Sequence, residues 1–209
     1  MLRFIIADDH TVVRAGLKKL LMEEFPTAFV DDVPDAEELI KKVIREKWDV
    51  VITDINMPGR SGLEALVQIK DIDPKLPVLV LSFYPESHYA VRAIKAGASG
   101  YLNKNMAAEE LKIAVQKVLL GKRYISPTVA ESIAGTLGFD NDKPDHEQLS
   151  NREFEVMKLL AAGKTVTEIA DIYSISVNTV STYKSRILVK MNMKTNADMT
   201  VYAMENGLI

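Results

Sequence analysis

The chain of 209 residues contains no cysteine, and it has one tryptophan and three histidines. Without thiols there is no disulfide framework, no thiolate metal site and no cysteine nucleophile. His10, His88 and His146 are scattered along the chain, which speaks against a structural zinc site. No apolar run approaches the roughly 18–20 residues that a membrane-spanning helix needs, so no membrane partner is expected. The opening MLRFIIADDH has two acids directly behind its apolar run, so no secretory signal is expected and the expected location is the cytoplasm. What is present is ordinary for a globular protein: 47% hydrophobic and 26% charged residues. The length suits one large domain or two small ones.

The net charge of −3 argues at first against a nucleic-acid partner. Its distribution argues otherwise. Residues 1–120 hold 16 basic and 18 acidic residues, 121–148 hold 3 and 5, and 149–209 hold 7 and 6, so only the last region is positive. Within 176–196, Lys184, Arg186, Lys190 and Lys194 stand in a stretch free of acids.

Residues 1–120 alternate apolar runs (Phe4–Ala7, Phe29–Val33, Val50–Thr53, Val78–Leu81, Gly100–Leu102) with amphipathic stretches. Val13, Leu17, Leu20 and Leu21 have helical spacing, and Asp35 with Glu38 and Ser61 with Glu64 read as capping boxes. Further helices are predicted at about 86–96 and 107–120, the last closed by Gly121. Five strands alternating with five helices predict a doubly wound parallel sheet of flavodoxin-like type, with working groups at the strands' carboxyl ends. A polar linker is predicted over 121–146, with a short helix around Thr128–Leu137. Residues 147–209 carry helix starts at Ser150-x-x-Glu153, Thr165-x-x-Glu168, Ser176 and Thr195-x-x-Asp198, which predict a small all-helical domain.

Asp8 and Asp9 follow the first strand and Asp54 the third, so a parallel sheet brings three carboxylates to one edge. Like charges this close need a cation, and oxygen-only ligands favour a hard ion such as Mg²⁺. A carboxylate beside Mg²⁺ can attack phosphorus to give an acyl phosphate. Lys104 past strand five and Ser82 at the end of strand four are placed to meet the phosphoryl oxygens. Singly, each residue has a plainer reading: Asp-Asp as a helix N-cap pair, Asp54 as a turn starter, Lys104 as a solvated lysine, Tyr101 as an edge-strand aromatic. An Mg²⁺-dependent aspartyl phosphatase with Asp8 as nucleophile is the alternative chemistry, although it usually wants Asp-x-Asp and here the run is Asp-Asp-His. A regulator that never becomes phosphorylated is the other. Trp48 is a candidate fluorescent reporter of Mg²⁺, provided it lies near the acids.

Asp8-Asp9, Asp54-x-x-Met-Pro-Gly, Leu81-Ser82 and Gly100-Tyr-Leu-x-Lys104 resemble the receiver domain of bacterial response regulators over about 1–120. The resemblance implies Asp54 as phosphoacceptor from a sensor histidine kinase. It also implies Mg²⁺ on Asp9, Asp54 and the backbone carbonyl of Asn56, with Asp8 acting partly through water. Ser82 and Tyr101 take the switch positions, and Lys104 that of the phosphate-pairing lysine. Asn105 departs from the proline that many receivers carry after this lysine. On this reading, drawing Ser82 inward on phosphorylation lets Tyr101 turn from an exposed to a buried position.

Residues 165–173 and 177–191, joined by Ser174-Ile-Ser176, have helix-turn-helix spacing, with Ile169, Ala170, Ile175 and Val180 between them. The second helix then presents Asn178, Thr179, Ser181, Thr182, Lys184, Ser185 and Arg186 to double-stranded DNA. A plain helical bundle with solvated lysines is the competing account of the charge. Leu149-Ser-x-Arg-Glu-x-Glu-Val156, Glu168-Ile-Ala170 and Ile175-Ser-x-x-Thr-Val180 resemble the LuxR-type domain of NarL/FixJ regulators over about 147–209. Ser181 and Tyr183 stand where that family usually has lysine and histidine, and Val166-Thr167 where Asn-Lys is common, so its usual base contacts do not carry over. The resemblance implies a homodimer on DNA, with RNA polymerase a further partner. Ala197, Val201 and Met204 form a stripe suited either to a dimer face or to the domain's own core.

Overall fold

Continuous aliphatic runs need cover on both faces, and the chain supplies it with helices. A computed structural model describes residues 1–83, 86–105, 108–131 and 145–209. The chain divides into two units, Met1–Gly135 and Thr136–Ile209. In the first, β1 (Arg3–Ala7), β2 (Phe29–Val33), β3 (Val50–Asp54), β4 (Val78–Ser82) and β5 (Gly100–Asn103) alternate with α1 (Thr11–Glu24), α2 (Ala36–Arg45), α3 (Gly62–Ile72), α4 (Glu86–Lys95) and α5 (Ala108–Leu119). The strands form one parallel sheet in the order β2-β1-β3-β4-β5. The central β3 and β4 are buried at every residue. The edge strand β2 is half-polar, and its Asp31 and Asp32 pair with Lys42, Arg14 and Lys18.

Helix starts follow the predicted chemistry with one difference. Ser61 and Glu64 make a complete capping box. Asp35 accepts from the Glu38 N–H, but the Glu38 carboxylate turns to Lys41 instead of back to the cap, so this box is half formed. Gly121 has φ +73°, the left-handed backbone that a helix C-terminus favours. Beyond it the chain does not leave the sheet at once: Tyr124 pairs with Gly100, its N–H bonds the Ser99 carbonyl, and its hydroxyl donates to Glu110. Of the helix predicted at Thr128–Leu137, residues 127–131 are helical and the remainder lies outside the described residues, as does half of the predicted linker.

The second unit contains a short 3₁₀ turn (Asp145–Gln148), α6 (Asn151–Ala161), α7 (Val166–Tyr173), α8 (Val177–Lys190) and α9 (Asn196–Glu205). Ser150, Thr165 and Thr195 each close a full capping box, and Ser176 accepts from the Thr179 N–H. The Leu149–Val156 motif is architectural: Arg152 is buried, pairs with buried Glu155 and lies 3.8 Å over the Tyr173 ring. Glu153 completes the Ser150 box and meets Lys190 at 2.6 Å, fastening α6 to the end of α8. Burial pushes the Glu153 carboxyl up, but Lys190 and the Ser150 N–H outweigh it and hold the group below its usual range.

Candidate functional site

The strand register decides what meets at the carboxyl edge. Ala7 lies opposite Thr53, Asp54 opposite Leu81, and Ser82 opposite Asn103. The loops behind β1, β3 and β5 therefore deliver Asp8, Asp54 and Lys104 to one place. The Lys104 ammonium is 2.6 Å from Asp8 Oδ2 and 2.7 Å from Asp54 Oδ2, with all three side chains 3% exposed or less. One donor atom each from Asp8, Asp9, His10 and Asp54 lies within 4.8 Å of the others. Asp9 stays partly exposed, its carboxylate 2.6 Å from His10 Nδ1.

Burial raises the Asp54 carboxyl from 3.8 to about 6, against the pull of Lys104 and the Asn56 N–H; Asp8 pushes the same way as burial. The site therefore holds an ionised acid at a cost. One lysine faces two buried acids. Asp8 Oδ2 is ion-paired with that ammonium without an aligned hydrogen bond.

Ser82 and Tyr101 are both buried, each 1% exposed. The expectation that Tyr101 starts exposed is not what the structure shows: its ring already lies inside, although β5 is an edge strand. Asn56 is exposed, and its N–H reaches the Asp54 carboxylate. Asn105 is exposed, with its N–H on the Asn103 side chain. Trp48 is at the wrong end for a reporter. It precedes β3, with Arg3 4.7 Å over its ring, at the amino edge of the sheet.

Four residues build the site without having been singled out by the sequence. Arg14 donates to the Asp8 carbonyl at 2.6 Å and pairs with Asp32. Phe83 lies 5.0 Å from the Lys104 ammonium and covers it. Thr53 donates to the Asp54 carbonyl. Gly62 opens α3 against that same carbonyl: a Cβ there would lie 1.7 Å from the Asp54 oxygen. A fifth, His10, did carry a signal, its place in Asp-Asp-His.

In the second unit, Ile169, Ala170 and Val180 are buried between α7 and α8, and Ile175 is half-buried. Ser174 turns the chain with φ 53°. Asn178, Ser181, Thr182, Ser185 and Arg186 are exposed on α8, and Thr179, Tyr183 and Lys184 half-exposed. Several hydroxyls are already engaged: Thr182 donates to the Asn178 carbonyl, Ser185 to that of Ser181, and Thr179 bonds Ser176. Lys184 and Arg186 engage no carboxylate among the described residues, whereas Lys190 is taken by Glu153. The core side of α9 is Met199 and Ala203; Val201 and Met204 are 55% and 65% exposed, so that stripe is not domain core.

Residues 4–116 match the response regulator receiver domain, and residues 147–203 match the bacterial regulatory proteins of the luxR family. The oxygen regulatory protein NreC of Staphylococcus carnosus is 34% identical over all of this chain and 99% of its own. The response regulator GacA of Pseudomonas aeruginosa is 31% identical over all of this chain and 98% of its own. Among solved structures, RcsB of Salmonella enterica serovar Typhimurium bound to promoter rprA with the phosphomimetic BeF3⁻ is similar with TM-score 0.64 and 29% identity, covering 97% of this chain and 98% of that one.

Proposed function

The chain belongs to the two-component response regulators that join a receiver domain to a LuxR-family DNA-binding domain, phosphoacceptor signalling proteins and not conventional enzymes, and from that premise we propose that Asp54 accepts the phosphoryl group of a sensor histidine kinase. The observation that carries this is the Asp54 carboxyl held 2.7 Å from the Lys104 ammonium, with the Asp8 and Asp9 acids beside it. A carboxylate oxygen of Asp54 attacks phosphorus, the P–N bond of the phosphohistidine breaks as the P–O bond forms, and the imidazole leaves and takes up a proton. Lys104 pairs with a phosphoryl oxygen. Ser82 donates its hydroxyl to another, and buried Tyr101 holds the space behind it. Asp8, Asp9, Asp54 and the backbone carbonyl of Asn56 suit a hard cation, and the closeness of the three carboxylates supports that fit. Mg²⁺ there would neutralise charge on the attacked group.

The working division is a receiver at 1–120, a linker at 121–146 and a DNA reader at 147–209. The reader places α8 in the major groove of double-stranded DNA. Lys184 and Arg186 hold phosphates, while Asn178, Thr179, Ser181, Thr182 and Ser185 face the groove. The exposed Ala197, Val201 and Met204 stripe serves a homodimer on paired half-sites. A cytoplasmic location and contact with RNA polymerase accompany that role. Lys184→Ala is expected to weaken binding on specific and random DNA alike and to reduce the salt slope by about 1. A slope equal to that of the unaltered protein takes Lys184 out of the interface.

The direct test of Asp54 is phosphopeptide mapping after incubation of the full chain with a small phosphodonor and Mg²⁺. One phosphoryl group on Asp54 is expected. A label confined to any other residue overturns the assignment.

A further inference from the structure

The far edge of the same sheet, at the amino ends of β4 and β5, carries charge of the opposite sign. A cavity of about 400 Å³ opens there, lined by five cations (Lys70, Lys75, Lys95, Lys122 and Arg123) and by no acid. This stands in a chain of net charge −3. The volume falls within the range of small-molecule sites.

The plainest account of lysines here is that α3, α4 and α5 all end at this edge, and cations at helix C-termini offset the dipole. That account covers Lys70 and Lys95. The Lys70 ammonium donates to the carbonyls of Leu76, at 2.6 Å, and Pro74. It does not cover Lys75, which lies in the loop beyond α3, or Lys122 and Arg123, which lie beyond α5. These three are exposed and engage no carboxylate among the described residues. The neighbouring Asp73 accepts the Lys75 N–H and also bears on Lys70.

The backbone that carries Lys122 and Arg123 is held in place. Gly121 turns the chain with φ +73°, the Lys122 N–H returns to the Lys117 carbonyl, and the Tyr124 N–H is fixed on Ser99. Lys122 and Arg123 therefore sit on a strap pinned at both sides. Gly97, at φ +101°, would place a Cβ 3.2 Å from the Lys70 side chain, so glycine there leaves Lys70 its place. Burial and the neighbouring Arg123 both depress the Lys70 ammonium, while Asp73 raises it; the net direction is down. Crowding of this kind is relieved by a bound anion.

We propose that this cavity binds a diphosphate group, free or carried by a nucleoside diphosphate, in the angle between Lys75, Lys70 and the Lys122–Arg123 strap. Lys75, Lys122 and Arg123, grouped beside Lys70, bring more positive charge than a single phosphate neutralises. The site is separate from the acidic edge, and nothing in it depends on phosphorylation of Asp54. Because the strap is the segment that follows α5, a ligand there stiffens the point at which the chain leaves the sheet.

The test is calorimetric titration of the full chain, in EDTA, with sodium pyrophosphate and separately with ADP. One-to-one saturation by either is expected. It should weaken at least tenfold in the Lys75→Gln/Arg123→Gln variant, whose two positions are exposed and leave the core untouched. Asp54→Asn and Lys184→Ala should bind as the unaltered chain does. Equal affinity for the two probes assigns recognition to the diphosphate alone, and tighter ADP adds the nucleoside. Three results overturn the proposal: no saturable binding of either probe, binding that survives the double substitution, or binding lost with Lys184→Ala. A short duplex that binds through Lys75 and Arg123 while pyrophosphate does not would also overturn it, by making the face a DNA contact.

Discussion

Asp54→Asn is expected to abolish phosphoryl labelling and, in the same molecule, to raise the stability towards urea at neutral pH. The two effects share one cause. Asp54 is 3% exposed and its carboxyl is raised to about 6, chiefly by burial. The unfolded chain returns it to its ordinary 3.8, so between those values the folded state binds more protons than the unfolded one. Stability from this group therefore falls as pH rises through that window and is lowest above about pH 6. A shift of about two units corresponds to about 3 kcal/mol at most, and the loss of Lys104's partner reduces it, so a gain of about 1–3 kcal/mol is expected at pH 7.5. Below about pH 4 the variant and the unaltered protein should unfold alike. The measurement is urea unfolding in EDTA at both pH values. A gap that is the same at both, or a variant less stable at pH 7.5, would remove the buried charge as its cause.

Gly62→Ala should be the most damaging single methyl in the receiver. Its Cβ would meet the Asp54 carbonyl oxygen at 1.7 Å, its carbon at 2.8 Å and Thr53 Oγ1 at 3.0 Å. Two of these are backbone atoms of Asp54, at the end of β3, and the Gly62 N–H is itself bound to the Ile55 carbonyl. Neither side can yield without moving Asp54 or the start of α3. Overpacking costs typically about 1–3 kcal/mol, and a clash with backbone places this one at about 3 kcal/mol or above. Denaturant midpoints measure the loss, and phosphoryl labelling should fall with it at temperatures where the variant is still folded. Full labelling at unchanged stability would mean that α3 shifts freely.

The legible part of this molecule is what neighbours in sequence decide. Val50–Ile52 and Val78–Leu81 announce buried strands, and Ser61-x-x-Glu64 and Ser150-x-x-Glu153 announce helix starts, because period and cap act within a few residues. The acidic site was legible because its members stand at the ends of four strands, β1, β3, β4 and β5. Gly62 was not: its necessity comes from a carbonyl eight positions back, brought near only by the turn. Phe83 over Lys104 and Arg14 on the Asp8 carbonyl depend on side-chain directions that a linear pattern does not carry. The basic cavity is the extreme case, since its cations are drawn from positions 70 to 123 and show no run anywhere. Glu38 could cap or pair with Lys41, and the sequence supports both.

The caps of the DNA reader have a consequence for its helix ends. All four helices, α6 to α9, start on a Ser or Thr from their own unit, and three of the four close the box with an acid from their own first turn. Their free N–H groups are thus served locally, and the Arg152–Glu155 pair and the Lys190–Glu153 tie are likewise internal. The reader's helix ends are therefore satisfied from within the unit itself.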